Sequence, residues 1–171
     1  MNLSLYSINA FIILDTEGHR VLAKYYRPKS HPQGESKGLL TLKEQKAFEK
    51  GLWQKTKKPG GSGHLLFSLW LLHSSVNHLA VSPHPVSHTL LHAGDIILYD
   101  SHLAVYRHSL DLILYFIAGP TENELMLSTA LSSLTEALIL LLRNQLEKRG
   151  VLENLDLVLL CLDETIDDGC V

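Results

Sequence analysis

One stretch restricts the fold more than any other. Leu127, Leu131, Leu134, Leu138 and Leu141 recur at spacings of four and three. That is the period of an α-helix with one apolar stripe. Between Met126 and Leu142 the only charged residue is Glu136. The helix is therefore apolar over well more than half its circumference. Such a helix must be buried in a domain or covered by a partner. Pro120 precedes it, and Thr121 and Glu124 are spaced as a capping box. The helix is expected to run to about Asn144.

What packs against this helix is read from the rest of the chain. Leu3 to Leu14 is rich in strand formers, and Ala10 to Leu14 is continuously apolar. A strand covered on both faces has that pattern. Asp15-Thr16-Glu17-Gly18 is a turn signal, and Val21 to Tyr26 pairs back as a hairpin. Arg27 to Leu40 is a loop. Thr41 and Glu44 match a capping box for a helix running to about Lys57. Its inner stripe is Leu42, Gln45, Phe48 and Leu52, with Lys43, Lys46, Glu49 and Lys50 on other faces. Ile96 to Tyr99, Leu103 to Tyr106 and Leu110 to Ala118 read as three short strands. Arg143 to Asn154 is a connector or broken helix. Leu155 to Asp168 reads as a last helix, stopped by Gly169. The order β-β-α-β-β-β-α-α implies an α+β domain with a mainly antiparallel sheet covered by helices.

Composition sharpens one point. From Pro59 to Gly94 there are 36 residues without Asp, Glu, Lys or Arg. The other 135 residues carry all 33 charges, an ordinary density for a globular domain. The chain thus reads as one domain, 1–171, interrupted at 59–94. The net charge of −3 excludes a general polyanion binder, so no nucleic-acid partner is expected. Two cysteines, Cys161 and Cys170, are too few for a disulfide framework and read as free thiols. The longest apolar run, Leu65 to Leu72, is far shorter than the roughly 20 residues of a membrane span.

No catalytic arrangement is legible. Gly60-Gly61-Ser62-Gly63 lacks the flanks of a phosphate loop or nucleophile elbow. His84, His88 and His92 are spaced four apart, as ligands on one helix face would be. Pro83 and Pro85 oppose a helix there, and no Cys or carboxylate joins them. No metal, cofactor or catalytic residue is assigned. A small hydrolase stays as the remote enzyme alternative.

Charge is distributed by segment. Six lysines lie between Lys43 and Lys58 against Glu44 and Glu49, and six carboxylates with no Lys or Arg lie between Val151 and Val171. The acidic run ending the last helix sits at the unfavourable end of its dipole. It is either a solvated end or a surface that meets a partner's cations.

Several motifs together resemble a known family. They are Ile12-Leu14 with Asp15 and Gly18, Ala23-Lys24-Tyr25-Tyr26, Lys43 to Lys50, Glu122 to Leu127, Glu147-Lys148-Arg149, Leu152-Glu153-Asn154 and Asp163-Glu164. The chain resembles the coatomer zeta chains, which group with the small (sigma) chains of clathrin adaptor complexes. The resemblance covers Leu3 to Lys58 and Asp95 to Gly169. It implies a longin-like (SNARE-like) fold, with a five-stranded antiparallel sheet, one helix on one face and two on the other. It implies a non-enzymatic coat subunit in Golgi-to-ER and intra-Golgi vesicle transport. The implied direct partner is the N-terminal solenoid of the coatomer gamma subunit. The remaining coatomer subunits and, indirectly, an Arf-class GTPase follow. The implied location is cytoplasmic, peripheral on Golgi membranes and COPI vesicles. Another longin-type scaffold, such as a tethering-complex subunit or a GTPase regulator, is the alternative.

The resemblance also points to residues. Partner contacts are expected at Lys43, Lys46, Phe48, Lys50, Glu122, Asn123, Glu147, Arg149, Asp163 and Glu164. In the related adaptors the small chain helps bind acidic dileucine signals. The corresponding positions are Leu110, Leu112, Thr135, Asn144 and Gln145, of which Leu112 and Asn144 suit such a pocket. Relative to the family, about 35 residues are inserted before Asp95. They read as a surface loop, a docking element or, the favoured reading, translated non-coding sequence. The family also continues beyond Gly169 into a further tail.

Overall fold

The computed structural model describes residues 8–26, 39, 41–57, 95–167 and 169. The expected strand residues before Ile8, most of the expected loop before the first helix and the whole inserted segment 59–94 lie outside them. The chain divides into two compact units, 1–55 with 92–171, and 56–91. Only Thr56 and Lys57 of the second are among the described residues.

The described elements are β1 (Ile8–Asp15), β2 (Arg20–Tyr25), α1 (Leu42–Thr56), β3 (Asp95–Tyr99), β4 (His102–Ser109), β5 (Leu112–Ala118), α2 (Glu124–Leu141), α3 (Lys148–Glu153) and α4 (Leu155–Thr165). The five strands form one antiparallel sheet in the order β2-β1-β5-β4-β3. The first and last strands are thus neighbours at its centre. Both are buried on two faces, which explains their unbroken apolar sequences.

Alternation along the strands sorts two cores. Phe11, Ile13, Leu114 and Phe116 face α2 and α4, where Leu127, Leu131, Leu134, Leu138, Val158 and Leu162 complete the packing. Ile12, Leu14, Tyr115 and Ile117 face α1, which supplies Phe48 and Leu52. The expected single helix lies against one face, and the expected two, α2 and α4, lie against the other, joined there by Val151 of the short α3.

Element ends differ from the sequence reading, for local reasons. The Thr41–Glu44 capping box forms in both directions. The second expected box does not cap α2. Asn123 does, its side chain accepting from the N–H groups of Leu125 and Met126. Asparagine is the stronger cap, and Glu122 is held in a turn by Gly119. α2 ends at Leu141 rather than Asn144, because Arg143 and Asn144 adopt positive φ. Leu110 lies in the β4–β5 turn and is exposed. The connector contains the short helix α3. Its Gly150 leaves room for the Gln145 carbonyl, which a Cβ would meet at 2.2 Å.

Candidate interaction surfaces

α1 presents Lys43, Lys46 and Lys50 to solvent. No ion pair to these three occurs among the described residues. The two carboxylates that were set against them in sequence are otherwise occupied. Glu44 closes the capping box. Glu49 points inward and is 3% exposed. Arg20 of β2 clamps it with two bonds, Nε to Oε2 at 2.8 Å and Nη2 to Oε1 at 2.6 Å. The Tyr25 hydroxyl donates to Oε1 at 2.7 Å. Burial, and then this bond to a carboxylate, push the Tyr25 hydroxyl well above its ordinary pKa. Placing Glu49 on an outer face was therefore incorrect. Position 49 neighbours Phe48 and precedes Leu52 by one turn, so it lies beside the core stripe. The outer face of α1 is consequently more cationic than the sequence count implied.

Phe48, expected as a partner contact, is closed into the core. It is 5% exposed and packs against Tyr99 and His102, with ring centroids 5.3 and 5.4 Å away. Asn123 is exposed but committed to the α2 cap. Glu122 is half-buried, and burial raises its carboxyl pKa. Glu147 is half-buried at the start of α3. Arg149 pairs with Glu153 one turn along α3. Asp163 bonds Lys24 of β2, so one charge of the acidic run is compensated within the chain. Glu164 remains exposed. Cys161 is a free thiol, and burial raises its pKa.

The expected cargo positions separate. Leu112 is 1% exposed and belongs to the core under α2. It cannot serve as an open pocket wall without unpacking. Thr135 is also buried, its hydroxyl donating to the Leu131 carbonyl at 2.6 Å. That bond satisfies the one polar group of the side chain in its buried position. Leu110, Asn144 and Gln145 are exposed.

A polar corner escaped the sequence reading. Asp15, 4% exposed, ends β1. It accepts from the N–H groups of Glu17 and His19 and from Lys148 Nζ at 2.8 Å. Asp111, in the β4–β5 turn, accepts from the Lys148 N–H at 2.9 Å. Two turns and α3 are joined there. Burial alone would raise the Asp15 pKa, but Lys148 and the two N–H groups outweigh it, and the pKa is lowered. A carboxylate lowered on folding contributes stability above its unfolded pKa, near 3.9, and that contribution is lost as pH falls through the lower folded value. Asp15→Asn should therefore flatten the acid limb of a stability–pH curve below about pH 5 and lower the neutral plateau. Urea midpoints measured across that range would test it. An unchanged acid limb would remove Asp15 from the account.

The family model of the clathrin adaptor complex small chain matches residues 7–171. The yeast (Saccharomyces cerevisiae) coatomer subunit zeta is 34% identical over 99% of this chain and 73% of its own. Coatomer subunit zeta-1 of rice (Oryza sativa subsp. japonica) is 33% identical over 96% and 72%. The human zeta-1 subunit is 33% identical over 98% and 71%. Among structures, a chain of a homology model of the full-length AP-3 complex in a stretched open conformation superposes with a TM-score of 0.56. It is 17% identical, covers 96% of this chain and 83% of its own, and supports the fold alone. With the two-sided sheet, the order of elements and relatives aligned over almost the whole length, the chain belongs to the clathrin adaptor complex small chain family and is grouped within it with the coatomer zeta subunits.

Proposed function

We propose that the chain is a non-enzymatic subunit of the coatomer coat, acting in Golgi-to-ER and intra-Golgi vesicle transport. Its direct partner is the gamma subunit, through that subunit's N-terminal solenoid. An Arf-class GTPase is reached through the complex, and the location is cytoplasmic, peripheral on Golgi membranes and COPI vesicles. The observation that carries this reading is the near-complete alignment with curated coatomer zeta subunits. The exposed lysines of α1 support it. With Glu49 withdrawn into the core, Lys43, Lys46 and Lys50 form a cationic handle for an acidic partner surface.

Co-expression with the coatomer gamma subunit, followed by size-exclusion chromatography, tests the assembly. The expected result is one co-eluting peak. Substituting Lys43, Lys46 and Lys50 together by Glu should slow association about tenfold or more at low salt, with a smaller difference at high salt. Failure of the unsubstituted chain to co-elute would overturn the reading. Co-elution with unchanged association of the triple variant would remove only the lysine handle.

A further inference from the structure

α2 has far more apolar surface than the domain uses. Only 28% of its 18 residues are buried, and Leu125, Met126, Leu140 and Leu141 are exposed. Part of this surface is concave. A shallow, largely open groove of about 490 Å³ lies between the N-cap Asn123, Leu125, Met126, Thr129, Ala130 and Ser133 of α2 and Thr165 at the end of α4. That volume lies in the range of ordinary ligand sites, about 300–1,000 Å³.

The chemistry of the lining limits the occupant. Three of its four polar side chains already make a hydrogen bond within the chain. The Asn123 side chain caps α2, Thr129 donates to the Leu125 carbonyl, and Thr165 donates to the Cys161 carbonyl. The floor therefore accepts apolar groups and offers little to a polar ligand. The wall is helix, whose backbone is internally bonded, so no edge is available for strand addition. Met126, Ala130 and Ser133 follow one another by about a turn, and two of the three are small. Small residues at that spacing admit a second helix closely.

The two helices that carry the lining fix the sign of charge. α2 and α4 carry Glu124, Glu136, Asp156, Asp163 and Glu164 and no Lys or Arg. Asp167 lies two residues past α4 and is exposed. Only Asp163 among these is engaged in a described ion pair.

We infer that this groove receives an amphipathic helix of a partner protein, apolar on one side and rich in Lys or Arg at its margins. The inference rests on the coat-subunit reading for the partner's presence. The groove supplies the apolar seat, and Glu124 and Glu164, chain neighbours of the lining residues Asn123 and Thr165, supply complementary charge beside it.

The probe is a synthetic helical peptide of Leu, Ala and Lys with leucines at i, i+3, i+4 and i+7. It is compared with the same peptide bearing Glu for Lys. Methyl NMR of the full chain should show shifts at Met126, Thr129, Ala130 and Thr165 with the basic peptide only. Ser133→Trp, at an exposed position, should weaken binding at least about tenfold by filling the groove. A pair of charge reversals, Glu124→Lys with Glu164→Lys, should weaken it and reduce its salt dependence. Thermal melting checks that each variant folds. No shifts, equal shifts with the acidic peptide, or shifts confined to other surfaces would overturn the inference. So would groove shifts on addition of vesicles containing phosphatidylserine, since the carboxylates beside the groove should repel them. In the gamma co-elution assay, loss with the unsubstituted chain indicts the coat reading. Unchanged gamma binding and peptide binding by Ser133→Trp indicts the groove alone.

Discussion

Glu49→Ala should destabilise the domain by about 3–5 kcal/mol, the usual result of removing one partner from a buried ion pair. The substitution strands the Arg20 guanidinium, only 24% exposed, against a low-dielectric wall. It also removes the acceptor of the Tyr25 hydroxyl. A charged donor and a phenol would then lack a partner at the junction of β2 and α1. Urea unfolding followed by tryptophan fluorescence measures the loss, and Trp53 on α1 reports on that side of the sheet. The double variant Arg20→Met with Glu49→Leu should recover much of the loss, because two apolar side chains leave no buried charge unpaired. The shortfall between the double variant and the sum of the singles measures the coupling. A loss below about 1 kcal/mol for Glu49→Ala would show that the pair behaves as a surface salt bridge.

Phe116→Ala should be comparably damaging, at about 3–5 kcal/mol. Phe116 is fully buried in the middle of β5 and meets Phe11 edge-to-face, with centroids 5.5 Å apart. The substitution opens a cavity beneath α2 at the pairing of the two central strands. Leu140→Ala is the matching control. It removes an apolar side chain from α2 itself, but Leu140 is 79% exposed. Its effect should stay within about 0.5 kcal/mol. Denaturant midpoints of the two variants should therefore differ widely. Similar losses would mean that the outward face of α2 is wrongly assigned.

Much of this architecture is legible in the residues. Four leucines of the α2 stripe are buried where the period places them. The fifth, Leu141, is 40% exposed because the helix ends beneath it. The hairpin turn takes its positive φ at Gly18, as its composition requires. What escaped the sequence was tertiary. Glu49 looked like a solvated charge because Arg20 lies 29 positions away, and no local pattern couples them. Phe48 looked like a docking residue because a family motif surrounds it, although its helical position is a core position. Asp15, Asp111 and Lys148 come together only when two turns and α3 meet. The groove beside α2 likewise depends on where α4 ends, which periodicity does not specify.

The strand order has a consequence for synthesis of the chain. β1 pairs with β2 almost at once, but its other edge waits for β5, where Ile12 meets Tyr115. At about 5–20 residues per second, the roughly hundred intervening residues keep that apolar edge unpaired for about 5–20 s. An unpaired apolar edge is a template for association with other chains. Each residue added between β2 and β3 prolongs that interval on the ribosome, so the length of this connection bears on yield in the cell more than on the stability of the finished sheet.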